Sequence, residues 1–478
     1  MFGLFYQQPR AFRIIFMLEV WERFGYYTVQ GILTLYFVKF IGLSEQLAYY
    51  TFGAFFALVY SMVIVGGYLG DRVLGAKRTL ILGLFVLAIG YCSLAWVDKT
   101  TVYYALAIIC VGNGLFKANP ASLLAKCYDK NDPRLYSAFT LFYMAINLGS
   151  ICSLLAGPLI SSYLGYSYAF FLAAIGIVLG LANYGFQHQH LKAIKIPDEK
   201  TIIPLWVWLL IILGIIGAIG VVTILLQHVR LAKMLVLAVA IMATLTYFNL
   251  LLKQQRSTRW KMLLAFILML EAVIFFSLYQ QMPTSLNLFA VNNVDPHLLG
   301  IAIDPQCFQA LNPIWIVIMS PVLAWFYNEL RQRNINFAIP YKFASGMLFC
   351  AVSFLILFFT RFAHDDSGQV SAWWLVASYL FQSIGELMVS ALGVAMVADL
   401  VPVRIAGFVM GMWFLTSATA GFLGASIASY AALSRDLKPG LDSLMMYTGV
   451  FAYIGLGSLA IGLLLWLLSP LLTRLMDD

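Results

Sequence analysis

Charge is what this chain has least of. Asp, Glu, Lys and Arg together make up 10% of its 478 residues, against 62% hydrophobic residues, and the mean hydropathy is +0.88. A soluble domain carries about 25% charged and about 45–50% apolar residues. The shortage excludes a soluble enzyme, a disordered chain and a nucleic-acid binder. The formal charge of +8 does not reopen the last of these, because the 29 basic residues form no single stripe. Cysteine is also sparse. Cys92, Cys110, Cys127, Cys152, Cys307 and Cys350 form no CxxC pair, and they read as small apolar packing residues. The five histidines are scattered over polar loops, so no metal-ligand set is visible. Alternation of polar and apolar residues is missing too. Runs such as Leu459–Leu468 are continuous, which excludes a membrane barrel.

What is present is apolar runs of membrane length. A spanning helix needs roughly 20 mostly apolar residues. Fourteen segments qualify: 12–41, 47–70, 79–97, 102–125, 135–162, 167–186, 203–226, 234–252, 262–290, 308–328, 342–360, 372–398, 405–431 and 443–469. The expectation is an all-α, polytopic membrane protein. No cleaved leader is expected, because Glu19, Glu22 and Arg23 interrupt the first run and no small-residue cleavage site follows. With the N-terminus inside and the spans alternating, the inner segments carry 20 of the 29 Lys and Arg and the outer ones 6. That bias predicts both termini on the cytoplasmic side. The polar stretch 188–200 and the basic stretch 253–261 bracket an acid-free helical hairpin, 203–252. This predicts a 6 + 2 + 6 plan: a six-helix bundle over 1–186, a linker with two extra spans over 187–261, and a second bundle over 262–478.

An ionisable group in mid-span costs roughly 2.5–3.5 kcal/mol on insertion scales, so the few that remain carry information. Glu19, Glu22, Arg23, Tyr26 and Tyr27 follow an i, i+3, i+4, i+7, i+8 pattern, which puts them on one helical face. Two carboxylates beside one guanidinium cannot both be neutralised by it, which is what proton coupling needs; the plain alternative is a static ion network. Lys117, in GNGLFKANPAS, and Glu386, in QSIGELMVS, are lone opposite charges in opposite halves. They are expected to pair in one state and part in another, as a gate. Glu271 has two readings, structural pairing or coupling, and Asp399 reads as a loop charge. Asn147 and Asn312 could each hold a polar substrate or act as interhelical glue. Tyr60 and Trp413 are weaker candidates.

These residues together resemble the proton-dependent oligopeptide transporter family of the major facilitator superfamily. ExxERFxYY is that family's first motif, and 19–27 matches each fixed position. Gly66-Gly67-Tyr-Leu-Gly-Asp71-Arg72-Val-Leu-Gly75-Ala-Lys77-Arg78 is similar to the superfamily's loop signature. GNGLFKANPAS and FTLFYMAINLGS look like the second family signature. LNP at 311–313, SIGEL at 383–387 and LMLEAVIFFSLYQQMPTSLN extend the likeness, which is nearest to the family's bacterial permeases of dipeptides and tripeptides. The extra hairpin is similar to an insertion of the bacterial members.

The resemblance implies a major facilitator fold and a residue-by-residue division of labour. Glu19, Glu22 and Arg23 would couple the proton. Arg23 and Lys117 would face a peptide carboxylate; Glu386, Asn147 and Asn312 would hold its ammonium; Tyr26, Tyr27 and Tyr60 would line the site. Lys117 with Glu386 would form an inner gate. Two positions depart from the family. Many members carry an Arg where this chain has Gln30 and an acid where it has Gln280, and those residues are thought to pair as an outer gate. Two amides cannot form an ion pair, so a hydrogen-bonded or steric gate is expected. The proton-linked His of animal members has no counterpart, since Gly53 aligns there.

The expectation is thus a proton-coupled importer of dipeptides and tripeptides, working as a monomer in a bacterial inner membrane, with protons as the coupling ion and no cofactor. The rival within the family is a carrier of nitrate or another small solute, and Glu386 argues against it, because an anion alone has no use for that carboxylate. A membrane enzyme would need a nucleophile or a metal set, and a channel would need a ring or filter. Neither pattern is found.

Overall fold

The structure is a computed structural model and describes residues 5–128, 132, 134–192, 203–335, 337–433 and 439–477. Of the residues counted for orientation, Lys130, Lys195, Lys200, Arg435 and Lys438 lie outside them, as does part of the expected linker.

Helices account for most of the described residues. They are α1 (Arg10–Tyr36), continued by a π-helical turn over Phe37–Ile41, α2 (Glu45–Arg72), α3 (Ala76–Leu94), α4 (Val102–Lys117), α5 (Asn119–Ala125), α6 (Arg134–Tyr163), α7 (Tyr166–Lys192), α8 (Leu205–Gln227), α9 (Val229–Leu252), α10 (Arg256–Tyr279), α11 (Ser285–Asn293), α12 (Leu311–Gln332), α13 (Ile339–Phe359), α14 (Trp373–Leu400), α15 (Val403–Ser429) and α16 (Leu441–Asp477). Counted with α4–α5 and α10–α11 as single passes, these make fourteen, as hydropathy predicts. Eleven helices are long and apolar enough to cross a membrane by themselves among the described residues. Of the rest, α1 falls short because Glu19, Glu22 and Arg23 interrupt it, and α4 because it ends after 16 residues. The protein is a multi-pass membrane protein.

Local chemistry explains the interruptions. Pro120 lacks an amide hydrogen and clashes with the turn before it, so α4 stops at Lys117 and α5 restarts with proline in its first turn. The only strand pair among the described residues is a short hairpin, β1 (His297–Leu298) with β2 (Ile301–Ala302). Its two central residues, Leu299 and Gly300, have φ of 54° and 77°, the backbone that a two-residue turn demands.

By packing, the chain forms two units: Met1–Tyr36 with Ala54–Ala232, and Phe37–Gly53 with Lys233–Asp478. This grouping cuts at other points than 186 and 261. It separates α8 from most of α9, and it divides α2.

In the first unit, glycines set the spacing of α2 and α4. A Cβ on Gly66 would lie 1.9 Å from the Gly114 carbonyl oxygen, and one on Gly70 equally close to the Asn119 side chain. In the second unit the first turns of α2 lie on α15. A Cβ on Gly53 would come 2.5 Å from the Gly421 oxygen and 2.6 Å from the Ala425 Cβ. Tyr50 and Ser429 hydroxyls are 3.3 Å apart, and the Glu45 carboxylate accepts the Leu433 amide at 2.8 Å. Residues 421, 425 and 429 form one i+4 row, and Leu433 lies just past the end of α15. Gly53 therefore has a steric reason to be glycine: no side chain, imidazole included, fits there.

Candidate functional site

In the first unit the site is built on one face of α1. Glu19, Glu22 and Arg23 are almost wholly buried, at 4%, 0% and 4% exposure. The Arg23 guanidinium meets Glu22 at 2.5 Å and Glu19 at 3.3 Å. One cation thus serves two carboxylates, as the helical spacing requires. The second oxygen of Glu22 accepts a hydrogen bond from Asn113 of α4 at 2.9 Å. Sequence reasoning missed Asn113. Its signal was present: it stands four residues before Lys117, so both lie on one helical face.

Lys117 is fixed by aromatic rings. Its ammonium lies 3.6 Å from the centroid of the Tyr60 ring and 5.8 Å from that of Tyr26. The Arg23 guanidinium lies 5.4 Å from the Tyr26 centroid as well. Both cations therefore share Tyr26, whose negative ring face favours them. Tyr27 stacks edge-on to Tyr26 at 5.4 Å. Close helix approach holds this face together, since a Cβ on Gly149 of α6 would lie 2.9 Å from the Arg23 Cβ. Nearby on α6, Asn147 donates to its own helix, to the Tyr143 carbonyl at 2.9 Å. Gln30 is buried in α1.

The second unit holds a sparser constellation. Asn312, in the first turn of α12, donates to the Glu386 carboxylate at 2.8 Å and to the Ser383 hydroxyl at 3.1 Å. Ser383 in turn donates to the Asn312 carbonyl at 3.2 Å, and the Tyr279 hydroxyl reaches the Asn312 side-chain oxygen at 3.4 Å. The LNP and SIGEL stretches thus meet through their polar residues. Ser383 and Tyr279 went unread, because a lone Ser or Tyr in a span carries little signal of its own. Gln280 caps α10, buried, and its amide nitrogen has no hydrogen-bond partner among the described residues. Trp413 packs into the space left by Gly393 and meets Phe276 edge-on. Lys117 and Glu386 belong to different units, as do Gln30 and Gln280.

Glu271 differs from the other acids. It is 3% exposed on α10, and neither carboxyl oxygen has a partner among the described residues. The structural-pairing reading of this residue therefore finds no partner among the described residues. Among the described residues there is also no group of three His, Cys, Asp or Glu placed to hold a metal.

Comparison with known proteins agrees with this chemistry. The POT family model matches residues 77–439. The chain is 47% identical over 474 residues to dipeptide and tripeptide permease B of Salmonella typhimurium, covering 98% of this chain and 97% of the relative. It is 46% identical over 475 residues to dipeptide and tripeptide permease A of Erwinia pyrifoliae, covering 99% and 96%. Among solved structures it is similar to tetrameric PepTSo2, with a TM-score of 0.87, 33% identity and coverage of 97% and 99%. A structure described as addressing substrate recognition in proton dependent oligopeptide transporters matches with a TM-score of 0.85 and 34% identity, over 97% of this chain and 99% of that one.

Proposed function

The chain belongs to the POT family, the proton-dependent oligopeptide transporters of the major facilitator fold, and from that premise we propose that it imports dipeptides and tripeptides with protons by alternating access. It is a transporter and not an enzyme. The observation that carries the proposal is the sharing of one guanidinium, Arg23, by two buried carboxylates, Glu19 and Glu22. A proton added to either acid weakens its hold on Arg23 without leaving the cation unpaired. That is a usable coupling step.

In this reading Arg23 and Lys117 attract the peptide carboxylate, with Tyr26, Tyr27 and Tyr60 lining the site. Glu386, set by Asn312 and aided by Asn147, attracts the ammonium. A zwitterionic peptide needs both signs, and Glu386 favours it over nitrate or another anion. Lys117 with Glu386 serves as an inner gate, and Gln30 with Gln280 as an outer gate that works without charge. The bundles 1–186 and 262–478 rock about a midplane site while 187–261 bridges them. The permease works as a monomer in a bacterial inner membrane with both termini cytoplasmic, as the Lys and Arg distribution supports, and protons alone drive it.

Uptake into proteoliposomes tests the proposal. Labelled dialanine and trialanine should accumulate under an inward proton gradient, while alanine and a sugar should not. Peptide uptake that ignores the gradient overturns the coupling, and uptake of nitrate in place of peptide favours the rival.

A further inference from the structure

Lys77 and Arg78 occupy the first turn of α3, where no acidic residue is present and the N-cap, Gly75, supplies no side-chain hydrogen bond. A helix N-terminus already carries partial positive charge. Two cations placed there run against the dipole, and such local conflicts gather at sites that bind something. A cavity of about 570 Å³ opens beside them. Its polar end is formed by Lys77 and Arg78, with Tyr184 of α7 and Trp208 of α8. Its apolar wall is Ile81, Leu82 and Phe85 along α3, and Phe85 is 55% exposed. From Lys77 to Phe85 the helix rises about 12 Å, so the site passes from cationic to apolar along the direction a lipid would take. Every residue lining it belongs to the first unit.

We propose that this cavity binds an anionic glycerophospholipid. Its phosphate meets Lys77, Arg78 and the first amides of α3; one acyl chain lies along Ile81 and Phe85; Trp208 and Tyr184 take the glycerol level, where amphipathic rings are favoured. Basic pockets between helices at a membrane face suit such headgroups. Trp208 comes from the inserted helical pair, so that pair completes a lipid site beside the loop signature. The inserted helix suits this role, being strongly exposed at Leu205, Trp206 and Leu209.

The test is native mass spectrometry of the delipidated full-length protein titrated with dioleoylphosphatidylglycerol and, separately, with dioleoylphosphatidylcholine. The wild type should bind the anionic lipid roughly thirtyfold more tightly, the sum of roughly 1 kcal/mol for each of two cations near the headgroup, and K77Q/R78Q should lose that preference. Trp208→Ala should weaken anionic-lipid binding about threefold. Equal binding of the two lipids by the wild type overturns the proposal. So does unchanged anionic-lipid binding in the variants. If soluble glycerol 1-phosphate competes at the lipid's own concentration, the site is a phosphate site and the lipid assignment falls. Should K77Q/R78Q not fold, Trp208→Ala decides alone, because it changes only the rim. Transport is not read, so the result stands whatever becomes of peptide uptake.

Discussion

The two polar constellations are built on different principles. In the first unit, Glu19 and Glu22 both pair with Arg23, Asn113 holds the far oxygen of Glu22, and Lys117 rests on Tyr60. In the second, a single carboxylate, Glu386, is set by neutral groups, Asn312 directly and Ser383 and Tyr279 behind it. A network of charges can pass a proton and stay balanced, because each acid has a shared cation. A carboxylate held by an amide keeps its direction but has no cation of its own to exchange. The first arrangement suits a switch and the second an anchor.

The sharpest break of this comparison comes from removing the terminal charges expected to meet the substrate. Lys117→Ala and Glu386→Ala should each abolish peptide uptake, in gradient-driven and in exchange modes alike. Truncating either removes a charged partner from a desolvated peptide terminus, a loss of about 2–5 kcal/mol or more for a buried pair. Normal uptake by either variant, measured in proteoliposomes, removes that residue from the site.

Glu22→Gln should separate switch from anchor. The amide retains one acceptor, but its NH2 now faces either Arg23 or Asn113, both donors toward this position. Gradient-driven accumulation should be lost while counterflow exchange of labelled dialanine persists. If both modes stay normal, Glu22 does not couple, and the distinction between the two constellations fails.

Smaller effects belong to the neutral supports. Asn312→Ala should weaken peptide affinity about tenfold, the scale of a buried hydrogen bond lost to a charged group, and leave the gradient dependence intact. Asn113→Ala should instead alter the dependence of uptake on external pH more than affinity, because its side-chain amide donates to Glu22. Should the two amides swap these signatures, the roles of the two constellations are reversed.

How much of this was legible in the sequence depended on range. The fourteen passes follow from apolar length, the break after Lys117 follows from Pro120, and the shared Arg23 follows from helical spacing. Each is settled within a few turns of one helix. The partner of Asn113 was not legible, because it depends on how α4 packs against α1, a contact between residues far apart in the chain. Asn147 reads the same as Asn312 in sequence, yet one donates into its own helix and the other across to Glu386. The row at 421, 425 and 429 likewise shows its use only when Gly53 is set against it. Polar residues announce that they need a partner; packing chooses which.

The mildest expected change concerns the acid of α10. Glu271 is buried like Glu22, but neither oxygen is bonded among the described residues, and no cation is paired with it there. Removing one member of a buried ion pair costs about 3–5 kcal/mol because a charge is stranded, whereas Glu271 strands nothing. Glu271→Gln preserves its volume and trades one unbonded polar head for another. Thermal unfolding in detergent should therefore move by no more than about 2 °C, a change under roughly 1 kcal/mol, and gradient-driven uptake should stay within about twofold. A folded Glu271→Gln protein that has lost accumulation but kept exchange would place this carboxyl among the proton carriers. The second unit would then hold a switch as well as an anchor, and the contrast between the two halves would have to be redrawn around α10.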